Sequence, residues 1–364
     1  MYTKIHQIIE YLETIVPGCY QESYDNSGLL VGNPKAELKK GLICLDVTQS
    51  VVNEAISTGC NLIISHHPLI FNPLKKITGT TLCEKLIIQA IKNDIAIYAV
   101  HTNLDNALCG VNQRFAEILG LKNRRILQPT QTNLYKLITY IPTEHVEPVR
   151  NALFQAGAGT IGNYNSCSFN AIGYGTFMAN ENANPFVGNK NEVHKEEEIR
   201  TEMIFPVHLK SRIISALLKN HPYEEPAFDV VSLANTNATI GAGMIGELET
   251  PMNESDFLQF LKKQLQLSCI KHSKFCEKQI KTVALCGGSG SFLIGEAMRQ
   301  NADIFISSEL KHNHFVDFAG VLLLADIGHF ESEIHTKKLL YEILIKKFST
   351  FAVSLNEENP ISYL

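Results

Sequence analysis

Three short stretches of this chain end apolar runs with side chains that bind metal ions. The first is "IISHHPLIF", in which His66 and His67 stand side by side ahead of a rigid Pro68. The second is "VHTNLDN", with His101 and Asp105 in an H-x3-D spacing. The third is "DIGHFESE", with His329 and Glu333 in an H-x3-E spacing. Imidazole nitrogens and carboxylate oxygens together suit Zn, Fe, Mn or Co. His66, His67, Asp105, His329 and Glu333 are more donors than one four-coordinate ion needs. A carboxylate can bridge, so Asp105 and Glu333 would let the set hold two ions about 3.5–4 Å apart. Water shared by such a pair loses a proton near neutral pH and becomes a nucleophile. His101 is either a further ligand or the group that orients Asp105. A lone strand-end histidine is usually structural. A histidine pair with two further histidine–carboxylate spacings favours the metal reading.

The elements that must bring these stretches together follow from periodicity. "MYTKIHQIIEYLETI" reads as an amphipathic helix from about Thr3 to Ile15. Buried-type strands then alternate with helices: "GLICLDV", "SVVNEAIS", "NLIISHH", "LCEKLIIQAIKND", "IAIYAVHT" and "VNQRFAEILG". That alternation predicts a parallel sheet covered by helices. From residue 125 to 245 the style changes to two strand–helix–strand groups, which predicts an inserted ferredoxin-like α+β domain. "KNRRILQ" at its start reads as an exposed linker, and "MANENANPFVGNKNEVHKEEE" within it as a polar loop. The first style returns over 246–364. Sliding the chain by the Cys44-to-Cys286 spacing also aligns Glu54 with Glu296, Ala55 with Ala297, Ile64 with Ile306 and Ser65 with Ser307. The reading is an α/β domain, residues 1–124 and 246–364, built on a pseudo-duplicated sheet whose strand ends meet at one crevice.

Two further stretches are candidates for substrate contact. "CGGSGS" follows a strand and opens a helix, so Gly287, Gly288, Ser289 and Gly290 could cradle a phosphate; the plainer reading is a tight turn that needs glycine. "SSELKHNHF" offers Lys311 and His312 at another strand end, as anion contacts or as acid–base groups. Asp25 and Asn26 of "YDNSG" read as a turn.

Composition limits the alternatives. Hydrophobic residues make up 45% and charged residues 19%, enough apolar content for a sizeable core. The net charge of −5 gives no polyanion-binding face, so nucleic acid is not an expected partner. Nine cysteines without a CxxC spacing indicate buried, reduced thiols. No signal peptide or membrane span is legible, so a cytoplasmic protein is expected.

"YDNSGLLVG", "ISHHPLIF", "VHTNLDNALCGVN", "ALCGGSGSF" and "DIGHFESE" resemble the dinuclear-metal-centre, Nif-three-like family of GTP cyclohydrolase 1 type 2 homologues. The insertion, through "GAGTIGNYNSCSF", "ANPFVG" and "HPYEEPAFDV", resembles the PII/CutA-like domain of the longer bacterial members. The resemblance implies a two-metal centre of His66, His67, Asp105, His329 and Glu333, holding Zn, Fe or Mn. It also implies a ring-shaped homohexamer and a hydrolase acting on GTP, or on a related nucleotide or phosphoester. The alternative function is a non-catalytic metal-handling or regulatory ring whose insertion binds a ligand or partner. One departure stands out: Ser308 occupies a position where family members often carry glycine.

Overall fold

The computed structural model describes residues 2–131, 134–354 and 357–364. The chain forms two compact units, Met1–Pro129 with Ala238–Leu364, and Thr130–Asn237.

The first unit is mixed α/β with two sheets. Runs such as "LIIS" and "AIYA" lack polar alternation, so both of their faces must be covered. Gly41–Cys44, Leu62–Ser65 and Ala96–Ala99 are indeed buried along their whole length. They lie in a sheet ordered Gly28–Val31, Ala96–Ala99, Leu62–Ser65, Gly41–Cys44, Phe351–Val353. All neighbours run parallel except the edge strand Gly28–Val31. The helix Gln49–Thr58 starts at Thr48, whose hydroxyl accepts from the Val51 N–H, and stops at Gly59 in the left-handed region (φ 72°). Its buried Val51, Val52 and Ala55 pack on this sheet.

The second sheet is ordered Lys271–His272, Leu323–Asp326, Ile304–Ser308, Gln279–Ser289, Thr236–Asn253, Lys122–Gln131. Three of its strands, Gln279–Ser289, Ile304–Ser308 and Leu323–Asp326, are parallel neighbours. Cys44 and Cys286, and Ser65 and Ser307, fall on matching strands of the two sheets. "KNRRILQ" is not a linker: it lies in the edge strand Lys122–Gln131 because Ile126 and Leu127 are drawn into the core. Among the described residues no helix is long and apolar enough to cross a membrane; the nine cysteines are unpaired, but only Cys44, Cys60 and Cys286 are buried, so the expectation of buried thiols fails for the other six.

A C-terminal clasp closes the first sheet next to the site. The Glu357 carboxylate accepts from the N–H groups of Leu45 (2.8 Å) and Asp46 (2.5 Å) and pairs with Lys337 at 3.0 Å. Glu357→Ala would leave two N–H groups without their acceptor and the half-buried Lys337 ammonium with only the Ser354 carbonyl. The expected loss is about 2 kcal/mol, read from urea denaturation; an unchanged midpoint would refute it.

The second unit is a four-stranded antiparallel sheet ordered Phe169–Met178, Val193–Pro206, Leu134–Pro142, Phe228–Leu233. The helices Val146–Ala156 and Lys210–Asn220 share its core with Leu137, Met203 and Phe205. "VHKEEE", expected in a loop, begins the long strand Val193–Pro206. Its polar residues alternate with less exposed ones, as on a sheet with one wet face.

Candidate metal centre

The parallel strands deliver their histidines to one place. His66 and His67 follow Leu62–Ser65, His101 follows Ala96–Ala99, and His329 opens the short helix after Leu323–Asp326. His66 is fully buried, and its Nδ1 donates to the Val100 carbonyl at 2.8 Å. A carbonyl only accepts, so the unprotonated Nε2 is the atom left for a ligand. His67 Nδ1 lies 2.8 Å from Asp46 Oδ1, His101 Nδ1 lies 2.7 Å from Asp25 Oδ1, and His329 Nδ1 lies 3.1 Å from Glu309 Oε1. Each imidazole is therefore held through one nitrogen and presents the other, as metal-ligating histidines do.

Glu333, 3% exposed, sits at the centre. Its Oε2 lies 2.9 Å from His67 Nε2 and 3.0 Å from His329 Nε2, and those two nitrogens are 3.3 Å apart. Its Oε1 faces His66 Nε2 at 3.8 Å, and His66 Nε2 is 3.5 Å from Asp105 Oδ1. Neither His66 Nε2 nor Asp105 Oδ1 has a hydrogen-bond partner, although both are buried. The donors form overlapping groups with ligand atoms within 4.8 Å of one another: His67, His329, Glu333; His66, Asp105, Glu333; and His66, His67, His101.

The electrostatics reflect this crowding. Burial favours neutral His67, but the hydrogen bonds to Asp46 and Glu333 outweigh it and raise its pKa to about 10. His329 is raised to about 9 in the same way, mainly through Glu333. Burial would raise Glu333; its histidine partners instead hold it well below the usual carboxylate range. Asp105 goes the other way, up to about 6, because it is buried and faces Glu333.

Asp25, Asp46 and Glu309, each paired with the Nδ1 of a histidine of the centre, are residues whose place at the site the sequence reading missed. Asp25 does more than make a turn. Its carboxylate also accepts from Ser27 Oγ (2.8 Å) and the Thr102 N–H (3.1 Å), and with His101 these bonds overcome burial to keep it ionised. The signal for Asp46 was an acid just past an apolar strand, in "CLDV", the same placement that marked the histidines.

Two expectations are corrected. The N–H groups of Gly287, Gly288 and Gly290 are already given to Asn112 Oδ1, Ser332 Oγ and Ser307 Oγ, each at 2.9 Å. Gly287, Gly288 and Ser289 close the strand Gln279–Ser289 and line the cavity, with Gly290 just beyond; three of the four N–H groups expected to cradle a phosphate are thus already engaged, and the helix that follows, Ile294–Arg299, is short. Lys311 and His312 are exposed and do not line the cavity that contains the histidines. From that stretch only Glu309 reaches the centre. The glycines serve Glu333 instead. Gly288 adopts φ +64°, and a Cβ there would stand 2.4 Å from Glu333 Oε1. Gly288→Ala is therefore expected to displace that carboxylate and lower metal affinity at least about tenfold in chelator competition; wild-type affinity would show that the close approach is unimportant.

The cavity around the centre measures about 440 Å³, with Tyr24, Phe71 and Phe292 exposed along its lining. The family model for DUF34/NIF3 (NGG1p interacting factor 3) matches residues 3–360. This chain belongs to the DUF34/NIF3 family. Among DUF34/NIF3 relatives, the "GTP cyclohydrolase 1 type 2 homolog" of Halalkalibacterium halodurans is 38% identical over 98% of both chains, and that of Bacillus subtilis is also 38% identical over 98% of both. A Bacillus cereus crystal structure of a protein related to NIF3 superimposes with a TM-score of 0.87, 37% identity and full coverage of both chains. The family resemblance drawn from the five motifs thus extends over the whole chain.

Proposed function

We propose that this DUF34/NIF3 protein is a metal-dependent hydrolase with a two-ion centre held by His66, His67, Asp105, His329 and Glu333, with His101 beside them. One observation carries the reading: His66, His67 and His329, anchored through Nδ1, turn Nε2 toward Glu333 and Asp105, with His101 beside them, and the buried atoms His66 Nε2 and Asp105 Oδ1 are left without partners. The donor set fits divalent ions. Nitrogen and oxygen ligands suit Zn, Fe or Mn, and unpaired buried polar atoms are what a missing cation leaves behind. The two Glu333 oxygens face different donor groups, which supports a bridging role. Bound ions would supply Lewis acidity and acidify water at the site. The chain's own part is to hold the geometry: Asp25 orients His101, Asp46 orients His67, the Val100 carbonyl orients His66, and Glu309 orients His329.

The substrate in this reading is a nucleotide or phosphoester. Support comes from the name shared by the relatives and from the aromatic lining of Tyr24, Phe71 and Phe292, on which a planar base can stack. In the same proposal Thr130–Asn237 is a PII/CutA-like, ferredoxin-like insertion, supported by its strand–helix–strand, strand–helix–strand order. The assembly is a homohexamer, to be tested by light scattering for a mass six times that of the 40.5 kDa chain. The deciding experiment incubates protein loaded with Zn, Mn or Fe with GTP and with a panel of nucleotides and phosphoesters. Formate and a pterin-like fluorophore would identify a cyclohydrolase. Hydrolysis elsewhere in the panel would keep the hydrolase and discard GTP ring opening. Tight metal without turnover of any substrate would overturn the hydrolase and leave a metal-handling ring.

A further inference from the structure

The unit Thr130–Asn237 contains its own cavity, of about 460 Å³. Part of its wall is Glu198, on the strand Val193–Pro206 and only 7% exposed. The neighbouring strand makes room for this carboxylate with a glycine: a Cβ on Gly175 would stand 2.2 Å from Glu198 Oε2. Much of the remaining lining is aromatic, from Tyr140, Tyr174, Phe177, Phe186 and Tyr223. The Tyr223 ring lies 6.0 Å from Phe177 and 6.3 Å from Phe186, centroid to centroid. Its hydroxyl is buried without a hydrogen-bond partner of good geometry. Burial and the nearby Glu198 together push the phenol pKa up. Asn184 N–H donates to Glu224 Oε1 at 2.8 Å, which fastens the segment carrying Phe186 to the one carrying Tyr223.

A buried carboxylate among rings is costly unless a positive group compensates it. Among the described residues that line the cavity there is no Lys, Arg or His. The ring faces also carry partial negative charge, so they add to the attraction for a cation. Tyr174 already shows this preference, with Lys195 Nζ 3.9 Å from its ring centroid. Glu224 and Glu225 also line the cavity, but both are exposed and Glu224 is already engaged by the Asn184 N–H. A calcium- or magnesium-type ion needs several fixed oxygens, and only the Glu198 carboxylate is buried, among aromatic rings. An alkylated ammonium matches both parts of the cavity.

We propose that this cavity binds a small organic ammonium cation, with its charge against Glu198 and its alkyl groups against Phe177, Phe186 and Tyr223. The site is independent of the metal centre and of the hydrolase reading. Choline and its uncharged carbon isostere, 3,3-dimethylbutanol, are the probes, titrated calorimetrically into the full metal-loaded chain. Choline is expected to bind one site per chain at least about tenfold tighter than the isostere. Glu198→Gln removes that preference and leaves the fold intact or more stable, because a buried charge has gone. Phe177→Leu is the second variant and decides the matter if Glu198→Gln does not fold: it too must weaken choline binding more than isostere binding. Equal binding of the two probes, no binding at millimolar choline, displacement of choline by magnesium, or wild-type preference in either folded variant would overturn the proposal.

Discussion

Exchanging Glu333 for glutamine is expected to empty the whole centre rather than half of it. One oxygen of this carboxylate faces His67 and His329, and the other faces His66 across from Asp105. Glutamine keeps the shape but loses the charge, and its amide nitrogen cannot act as a ligand. The apparent affinity for divalent ions should fall by more than the about 10–100-fold typical of outer partners such as Asp25 or Asp46. Elemental analysis of the purified variant should find less than one ion per chain, with an unchanged far-UV circular dichroism spectrum. Glu331→Gln is the control: two residues away, its carboxylate accepts from Asn359 outside the donor groups, and it should retain full metal content. A Glu333→Gln protein that still carries two ions would remove the basis for the bridging assignment.

The second large effect is on pH. Metal uptake at the His67–His329–Glu333 group should release protons, and affinity should climb steeply with pH. In the metal-free protein His67 titrates near 10 and His329 near 9, both above their ordinary 6.5, because Glu333 and Asp46 favour the charged rings. A cation needs those nitrogens unprotonated. Each displaced proton makes binding about tenfold tighter per pH unit up to those values. Stability of the metal-free protein moves the opposite way. The raised histidine pKa values stabilise the fold fully below about 6.5, and that stabilisation is lost as pH rises through 9 and then 10. The depressed Glu333 contributes above its ordinary 4.5 and fades as pH falls further. Calorimetry at pH 7.5 in buffers of different ionisation enthalpy measures the protons released. A release of none, with flat affinity between pH 6.5 and 8.5, would contradict the charge arrangement.

The sequence made the donors legible but not their supports. His66, His67, Asp105, His329 and Glu333 all follow apolar strands closely, and the strand-end rule groups those of one sheet. The structure places Leu62–Ser65 and Ala96–Ala99 in one sheet and Leu323–Asp326 in the other, so the meeting of the two sets rests on how two sheets pack. Asp25, Asp46 and Glu309 act only through contacts made across the fold; Asp25 meets His101 from seventy-six residues away. The glycine run misled for a related reason. Its N–H groups look free on paper, and only the packed structure shows Asn112, Ser332 and Ser307 taking them. The strand Lys122–Gln131 was hidden because its first four residues are exposed and charged or polar, with Ile126 and Leu127 alone reporting the core.

His67 and Glu333, in contact in the folded protein, are separated by 266 positions in the chain. A ribosome therefore releases the paired histidines long before it makes the acid between them. A cation site that needs both residues is complete only late in synthesis. Once made, the coordination would act as a cross-link across a very large loop. Such a link removes much freedom from the unfolded chain, so chelators should speed unfolding of metal-loaded protein.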